Sequence, residues 1–145
     1  LGANVPQSDF KEVEKEIYAL TDSIEQGLVL SAHDISEGGL AVTLAEMIIT
    51  SKNKLGLEVN LDKVSELDLN TVQKLFSETG GFVIEVSSEN DEKLKEVFKN
   101  RGVELYNLGK TNESKELKIV DKEEIINLKV DQMHDAWSNS LRSKL

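Results

Sequence analysis

One segment near residue 30 constrains the fold more than any other, because an apolar run turns into an apolar helical pattern within a few residues. Residues 28–32 form a short apolar run after Gly27, and its length and flanks predict a buried strand. In residues 39–51 the apolar side chains cover more than half of a helix circumference, which predicts a buried helix. A strand that joins a helix this closely is typical of α/β folds.

The remaining pattern predicts further helices and strands around this segment. Asp9 is expected to cap a first helix that ends at Gly27 and carries one apolar stripe: Phe10, Val13, Ile17, Leu20 and Ile24. Further helices are predicted at residues 70–77, at residues 90–100 and around Met133, Trp137 and Leu141. Trp137 is expected to anchor that last helix by packing. Strands are predicted at residues 57–61, 82–86, 103–108, 117–120 and 125–130, with a hairpin across residues 110–115.

This order of elements predicts an α/β fold with a mixed sheet and flanking helices. Residues 1–8 have turn formers and no hydrophobic period, and they are expected to be a linker or a cloning boundary. Residues 9–145 are then expected to form a single domain, since 145 residues suit one ordinary core.

Composition excludes several classes of function. The formal net charge of −10 argues against a surface that binds nucleic acid or anionic lipid. The chain has no cysteine, which excludes disulfide frameworks and thiolate metal sites. No apolar run reaches the roughly 20 residues that a membrane helix needs. These features predict a cytoplasmic protein.

Chemistry, if the chain carries any, is expected where the strand turns into the helix. Helix starts leave N–H groups unpaired, and glycines let an anion approach them. Asp34, Ser36, Gly38 and Gly39 are therefore candidate contacts for a ligand or a phosphate. The alternative is structural: Ser36 or Asp34 caps the helix, and the glycines allow close packing without a ligand.

No catalytic or metal-binding residue is assigned from the pattern. His33 and Asp34 directly follow the predicted strand; unless the turn begins at His33, consecutive side chains point to opposite faces and cannot share one pocket, so a structural role for His33 is expected over acid–base catalysis. His33 and His134 form no recognisable metal-binding spacing. Residues 78–81 contain a second glycine pair, which is expected to end a helix and begin a strand.

At this point the sequence resembles a known family. Residues 31–47, SAHDISEGGLAVTLAEM, resemble a glycine-rich motif of the phosphoribosylformylglycinamidine synthase family. Three further stretches agree in order with the closing domain of that family: Val5-Pro6, residues 75–81 (LFSETGG) and Ala136-Trp137. The resemblance spans nearly the whole chain. It implies the fold of the C-terminal domain of aminoimidazole ribonucleotide synthetase-related proteins.

The resemblance also implies a reaction. Family enzymes use ATP, magnesium and glutamine-derived ammonia to convert formylglycinamide ribonucleotide to formylglycinamidine ribonucleotide in purine biosynthesis. ATP and magnesium are bound mainly by an upstream ATP-binding domain, and a glutaminase subunit and a small accessory subunit complete the enzyme. This chain is then expected to be inactive by itself. An alternative is a freestanding nucleotide- or phosphate-binding interaction domain of the same superfamily, and a third is a kinase-like member.

Two positions depart from the family pattern. Glu37 stands where the family often has Asp, which keeps the negative charge but requires magnesium or a basic neighbour beside any phosphate. Phe82 stands where an arginine is common, so any ligand contact made by that arginine is missing here.

Overall fold

A computed structural model of the chain describes residues 9–51, 55–64 and 69–139. Residues 1–8, predicted as a linker, and Leu141 of the closing helix lie outside the described residues. The elements in chain order are α1 (Phe10–Glu25), β1 (Val29–Asp34), α2 (Gly39–Ile49), β2 (Gly56–Asn60), a 3₁₀ turn (Leu61–Lys63), α3 (Thr71–Phe76), β3 (Phe82–Val86), α4 (Asp91–Arg101), β4 (Gly109–Asn112), β5 (Glu116–Asp121), β6 (Glu123–Lys129) and α5 (Val130–Asn139). The predicted α/β class is confirmed.

The chain divides into two compact units. The first combines residues up to Thr43 with Phe76–Leu105, and it holds α1, β1, the start of α2, β3 and α4. The second combines Leu44–Leu75 with residues from Tyr106 onward, and it holds the rest of α2, β2, α3, β4, β5, β6 and α5. The single domain predicted over residues 9–145 stays a prediction.

The core of the first unit lies where α1 packs against α4. Its buried cluster consists of Ala19, Leu20, Leu28, Leu94 and Phe98. Alternate residues of β3, Phe82, Ile84 and Val86, pack against this cluster, as period-two side chains on one face of a strand should. Asp9 caps α1 through its side chain, as predicted, by accepting a hydrogen bond from the Lys11 backbone N–H at 2.8 Å.

The strand β1 forms as predicted, but the prediction that it is buried was wrong. It pairs antiparallel with β3, with Asp34 opposite Phe82 and Val29 opposite Val86. Among the described residues β3 is its one hydrogen-bonded partner strand. Leu30 lies where the register with β3 shifts, between Val29 and Ser31, and it is 63% exposed. An apolar run indicates only that its residues tend to be buried. In the described part of this unit, Leu28 and Val29 at the start of the run contact the buried cluster.

The second unit contains a four-stranded mixed sheet in the order β4-β2-β5-β6. β2 is parallel to β5 and antiparallel to β4, whereas β5 and β6 are antiparallel. Val59 and Ile119 are paired across the sheet and fully buried on one face. Glu58 and Lys118 lie on the opposite, exposed face. The mixed sheet confirms the predicted architecture.

Two strand predictions were wrong. Residues 103–108 form no regular strand, and β4 starts only at Gly109. The expected hairpin across residues 110–115 does not form, because β4 and β5 pair with opposite edges of β2. The hairpin instead joins β5 to β6 through Lys122, whose φ of 64° is the left-handed value of a tight turn.

The closing helix also differs from its prediction. α5 runs over Val130–Asn139, and Val130 is buried at its start. Trp137 is 62% exposed, and its ring lies 6.4 Å from that of His134 at a tilted angle. The expected packing anchor is therefore absent at Trp137 among the residues the structure describes. The four-residue spacing from Met133 to Trp137 identified the helix but not which face of it is covered.

A largely buried ion pair fixes α3 to the end of β5 inside the second unit. Lys74 Nζ donates to Asp121 Oδ1 at 2.8 Å, and Thr71 Oγ1 donates to the other carboxylate oxygen. Hydrogen bonds from Lys74 and then from Thr71 hold the pKa of Asp121 below its ordinary value of 3.8. The ionised carboxylate is thus the form that the fold favours.

The Asp121 pair should make stability depend on pH. A carboxyl whose pKa is lower in the folded state stabilises the fold above its unfolded pKa, and this contribution is lost as the pH falls through the folded pKa. The Asp121→Asn variant keeps the shape and removes the charge. We expect wild type to exceed Asp121→Asn in free energy of unfolding at neutral pH, with the gap shrinking below about pH 4. Urea denaturation across pH measures this gap, and a constant gap would contradict the assignment.

Candidate functional site

The predicted ligand turn lies between β1 and α2. Asp34 ends the strand, Ser36 and Glu37 are exposed, and α2 begins at Gly39. Gly38 and Gly39 both have left-handed backbone angles, with φ of 81° and 63°, which L side chains rarely adopt. A β-carbon on Gly38 would also overlap the side chain of Val42. The glycine pair is therefore required by the sharp entry into the helix.

A second glycine turn lies against the first. The Gly38 N–H donates to the carboxylate Oε1 of Glu78 at 2.8 Å, and the Ile35 N–H donates to the carbonyl of Gly81 at 2.9 Å. Residues 78–81 precede β3, and β3 is antiparallel to β1, so the start of β3 lies beside the end of β1. The sequence predicted that these residues end a helix and begin a strand, but not that they contact the first glycine turn. Pairing β1 with β3 would have revealed their proximity.

Several backbone groups of the turn form hydrogen bonds with neighbouring residues of the turn and of the start of α2. The Gly39 N–H donates to the Ser36 carbonyl at 3.0 Å. The Thr43 hydroxyl donates to the carbonyls of Asp34 at 3.0 Å and Gly39 at 3.2 Å. Within the described ranges, neither the Asp34 carboxylate nor the Ser36 hydroxyl accepts a hydrogen bond from the helix start. In place of a cap by Ser36 or Asp34, the carboxylate of the distant Glu78 accepts a hydrogen bond at this turn.

Glu78 is the residue that sequence reasoning missed. Its carboxylate is a negative charge at the N-terminal end of α2, where backbone N–H groups favour anions. It accepts a hydrogen bond from the Gly38 N–H, one of the backbone N–H groups at this turn. Together with Asp34 and Glu37, Glu78 makes the surroundings of the turn acidic. An anion that used the Gly38 N–H would have to displace Glu78, and it would need positive charge from another source to offset the nearby carboxylates.

Replacing Glu78 should release this N–H. We expect the Gly38 amide hydrogen to exchange with solvent about fivefold faster in Glu78→Ala, equivalent to ~1 kcal/mol for one hydrogen bond. Glu78→Gln is the matched control, because its amide oxygen accepts the same bond. Hydrogen exchange followed by NMR measures both variants. Equal exchange rates in wild type and Glu78→Ala would show that the bond does not hold the turn.

His33 and Asp34 are consecutive strand positions that lie opposite Val83 and Phe82 in the sheet. The His33 ring Nδ1 lies 2.8 Å from the Asp34 backbone carbonyl oxygen and 3.4 Å from the Asp34 carboxylate Oδ1. The ring therefore stays close to the adjacent carboxylate. A catalytic role for this pair is not assigned.

The structure explains one departure from the family pattern. Phe82, which stands where an arginine is common, packs against the apolar cluster of the first unit. Its side chain is therefore used in packing and is half-buried.

In residues 9–51, 55–64 and 69–139, no group of three or more His, Cys, Asp or Glu side chains could hold a metal ion.

The comparisons with known proteins agree with this fold. Residues 2–122 match the family described as AIR synthase related protein, C-terminal domain. The chain is 30% identical over 145 residues to the phosphoribosylformylglycinamidine synthase subunit PurL of Methanothrix thermoacetophila, covering 99% of this chain and 18% of that protein. It is 38% identical over 132 residues to the PurL of Methanocaldococcus jannaschii, covering 89% and 17%. The chain thus spans about a fifth of the length of these relatives.

Solved structures give the same fold. Thermotoga maritima PurL complexed with AMPPCP has a TM-score of 0.78 at 22% identity, over 92% of this chain and 24% of that one. The structure of PurLQS from the same organism also scores 0.78, at 21% identity, over 90% and 23%. No helix among the described residues is long and apolar enough to cross a membrane. Because the family match covers most of the chain, this protein belongs to the AIR synthase related proteins and carries their C-terminal domain.

Proposed function

We propose that this chain is the C-terminal-type domain of a phosphoribosylformylglycinamidine synthase and contributes to that enzyme only together with the rest of it. The observation that carries the proposal is the match of 99% of the chain to a protein of that name at 30% identity. The motif at residues 31–47 supports it, because it resembles a glycine-rich motif of that family.

The proposed reaction is the ATP-dependent conversion of formylglycinamide ribonucleotide and ammonia to formylglycinamidine ribonucleotide, with the ammonia drawn from glutamine. Related structures are described as PurL complexed with ATP and with FGAR. In line with the family resemblance, ATP and magnesium are proposed to be bound mainly by another domain, and no catalytic residue is assigned to this chain.

The contribution proposed for this chain is a supporting contact to a ligand or phosphate by Asp34, Ser36, Gly38 and Gly39. Asp34 and Ser36 are exposed at the turn, Gly38 is partly exposed and Gly39 is buried. The Gly38 N–H could serve only after Glu78 has moved away. Positive charge from another domain or from magnesium would offset the acidic side chains of the turn.

The proposed partners are an upstream ATP-binding domain, a glutaminase subunit and a small accessory subunit. The structure named PurLQS supports an assembly of this kind for the Thermotoga maritima protein. No nucleic acid or membrane is proposed as a partner, because the net charge is −10. A cytoplasmic location follows from the proposed reaction, whose substrates are soluble metabolites.

An activity assay tests the proposal. The complete polypeptide that contains these residues should form formylglycinamidine ribonucleotide from formylglycinamide ribonucleotide, ATP and ammonium, and the 145-residue chain alone should not. Using ammonium removes the need for a glutaminase. Turnover by the purified chain alone, or a complete polypeptide that consumes ATP only with an unrelated acceptor, would contradict the proposal.

A further inference from the structure

The turn between β1 and α2 is attached at both ends to the loop that precedes β3. At its start, the Ile35 N–H donates to the carbonyl of Gly81 at 2.9 Å. At its end, the Gly38 N–H donates to the Glu78 carboxylate at 2.8 Å. Residues 36–37, which lie between these points, are exposed. The loop therefore fixes where the turn begins and ends and leaves its middle accessible.

The two attachments differ in what they require of the sequence. The Ile35 bond joins two backbone groups next to the last pair of β1 and β3, Asp34 opposite Phe82, so it continues the pairing of the strands. The Gly38 bond needs a side-chain acceptor, and Glu78 supplies it from another loop. Because Glu78 is exposed, its replacement should disturb neither the strand pairing nor the buried cluster of the first unit.

The glycine pair at the end of the turn needs such an attachment. Gly38 and Gly39 have φ of 81° and 63°. Because glycine adopts left-handed and right-handed backbone angles with similar ease, a consecutive pair allows several shapes of the chain. The hydrogen bond from Gly38 to Glu78 selects one of these shapes, and a single bond of this kind favours the bonded form by about fivefold. The negative charge of Glu78 at the start of α2 favours it further.

Electrostatics favour a Glu78 that holds the turn over a Glu78 that leaves when a ligand arrives. A displaced Glu78 would remain beside the turn together with Asp34 and Glu37, so its carboxylate would still repel an anion. Displacement would also release the glycine pair, and the ligand would then have to order the turn itself, which weakens its apparent affinity. A Glu78 that stays in place avoids this second cost.

We infer that Glu78 is a positioning residue for the ligand contact proposed above, and the inference rests on that proposed function. Its carboxylate acts through the backbone: it holds Gly38 in place and so keeps Asp34 and Ser36 in one arrangement at the surface. Glu78 itself does not touch the ligand. The fraction of enzyme with the correct turn sets the apparent affinity, so loss of the bond should weaken binding without changing the chemical step.

Steady-state kinetics of the complete polypeptide with formylglycinamide ribonucleotide, ATP and ammonium test this role. Wild type is compared with Glu78→Ala, which removes the acceptor, with Glu78→Gln, whose amide oxygen accepts the same bond, and with Thr79→Ala, an exposed neighbour in the same loop. The KM for the ribonucleotide is the decisive quantity, because ATP is proposed to be bound mainly by another domain. A variant that only loses folded enzyme lowers the apparent kcat and leaves KM unchanged.

Glu78→Ala should raise the KM for the ribonucleotide about three- to fivefold with kcat within about twofold of wild type, whereas Glu78→Gln and Thr79→Ala should keep the wild-type KM. An unchanged KM or a loss of kcat alone in Glu78→Ala would overturn the inference, and so would a lower KM, which would identify Glu78 as a competitor of the ligand. A Glu78→Gln or Thr79→Ala variant as weak as Glu78→Ala would overturn it as well. A wild type that forms no product contradicts the proposed function itself, and the inference falls with it.

Discussion

Replacing Phe98 with alanine is expected to lower the free energy of unfolding by about 3–5 kcal/mol. Phe98 is 4% exposed, and it belongs to the cluster formed by α1 and α4. Removing its ring leaves a cavity lined by side chains from α1 and α4, which can collapse only in part. Urea denaturation followed by circular dichroism measures the loss.

Phe10→Ala is the matched control for Phe98→Ala. The same atoms are removed, but Phe10 is 87% exposed. Its replacement should change the free energy of unfolding of the isolated chain by no more than about 0.5 kcal/mol. Equal losses in the two variants would show that the cluster described here is not the core of the first unit.

Replacing Gly109 with alanine should lower the free energy of unfolding by about 3 kcal/mol or more. A β-carbon at Gly109 would overlap the carbonyl oxygen of Glu58 and lie 3.1 Å from Cα of Val59. Both atoms belong to the backbone of β2, which is held in place by β5 on its other edge. The clash therefore cannot be relieved by turning a side chain, and β4 would have to separate from β2.

Lys110→Ala serves as the control for Gly109→Ala. Lys110 is exposed in the same strand, opposite Glu58, and its truncation should cost no more than about 0.5 kcal/mol. Hydrogen exchange of the β2 and β4 amides, together with urea denaturation, follows both variants. Normal protection and stability in Gly109→Ala would mean that β4 does not approach β2 as closely as described.

Much of the fold could be predicted because its signals are local. The capping residue Asp9, the helix stop at Gly27 and the left-handed Gly102 that ends α4 each fix an element boundary by nearby chemistry. The alternation of Leu57 and Val59 with Glu58 likewise identified β2. These patterns depend on neighbours within a few residues, so no knowledge of the tertiary structure was needed.

The errors concern contacts between distant segments. The exposure of Leu30 depends on its register with β3 and on what packs against that face of β1, and the predicted hairpin is missing because β2 lies between β4 and β5. The link between Gly38 and Glu78 joins residues 40 positions apart. Spacing within a motif could indicate the glycine turn, but it could not show that a carboxylate from a different loop already occupies one of its N–H groups.

The central proposal is that this chain completes a ligand site and does not constitute one. Two observations on the turn support it: the Gly38 N–H already donates to Glu78, and the surrounding side chains are acidic. A domain with these properties should bind nucleotides and ribonucleotide phosphates weakly until other groups supply positive charge.

Calorimetric titration of the 145-residue chain with ADP and, separately, with formylglycinamide ribonucleotide tests this claim most directly. We predict no saturable heat with either ligand, corresponding to a Kd weaker than about 1 mM. One-to-one binding of either ligand in the micromolar range would contradict the account and would favour a freestanding phosphate-binding domain.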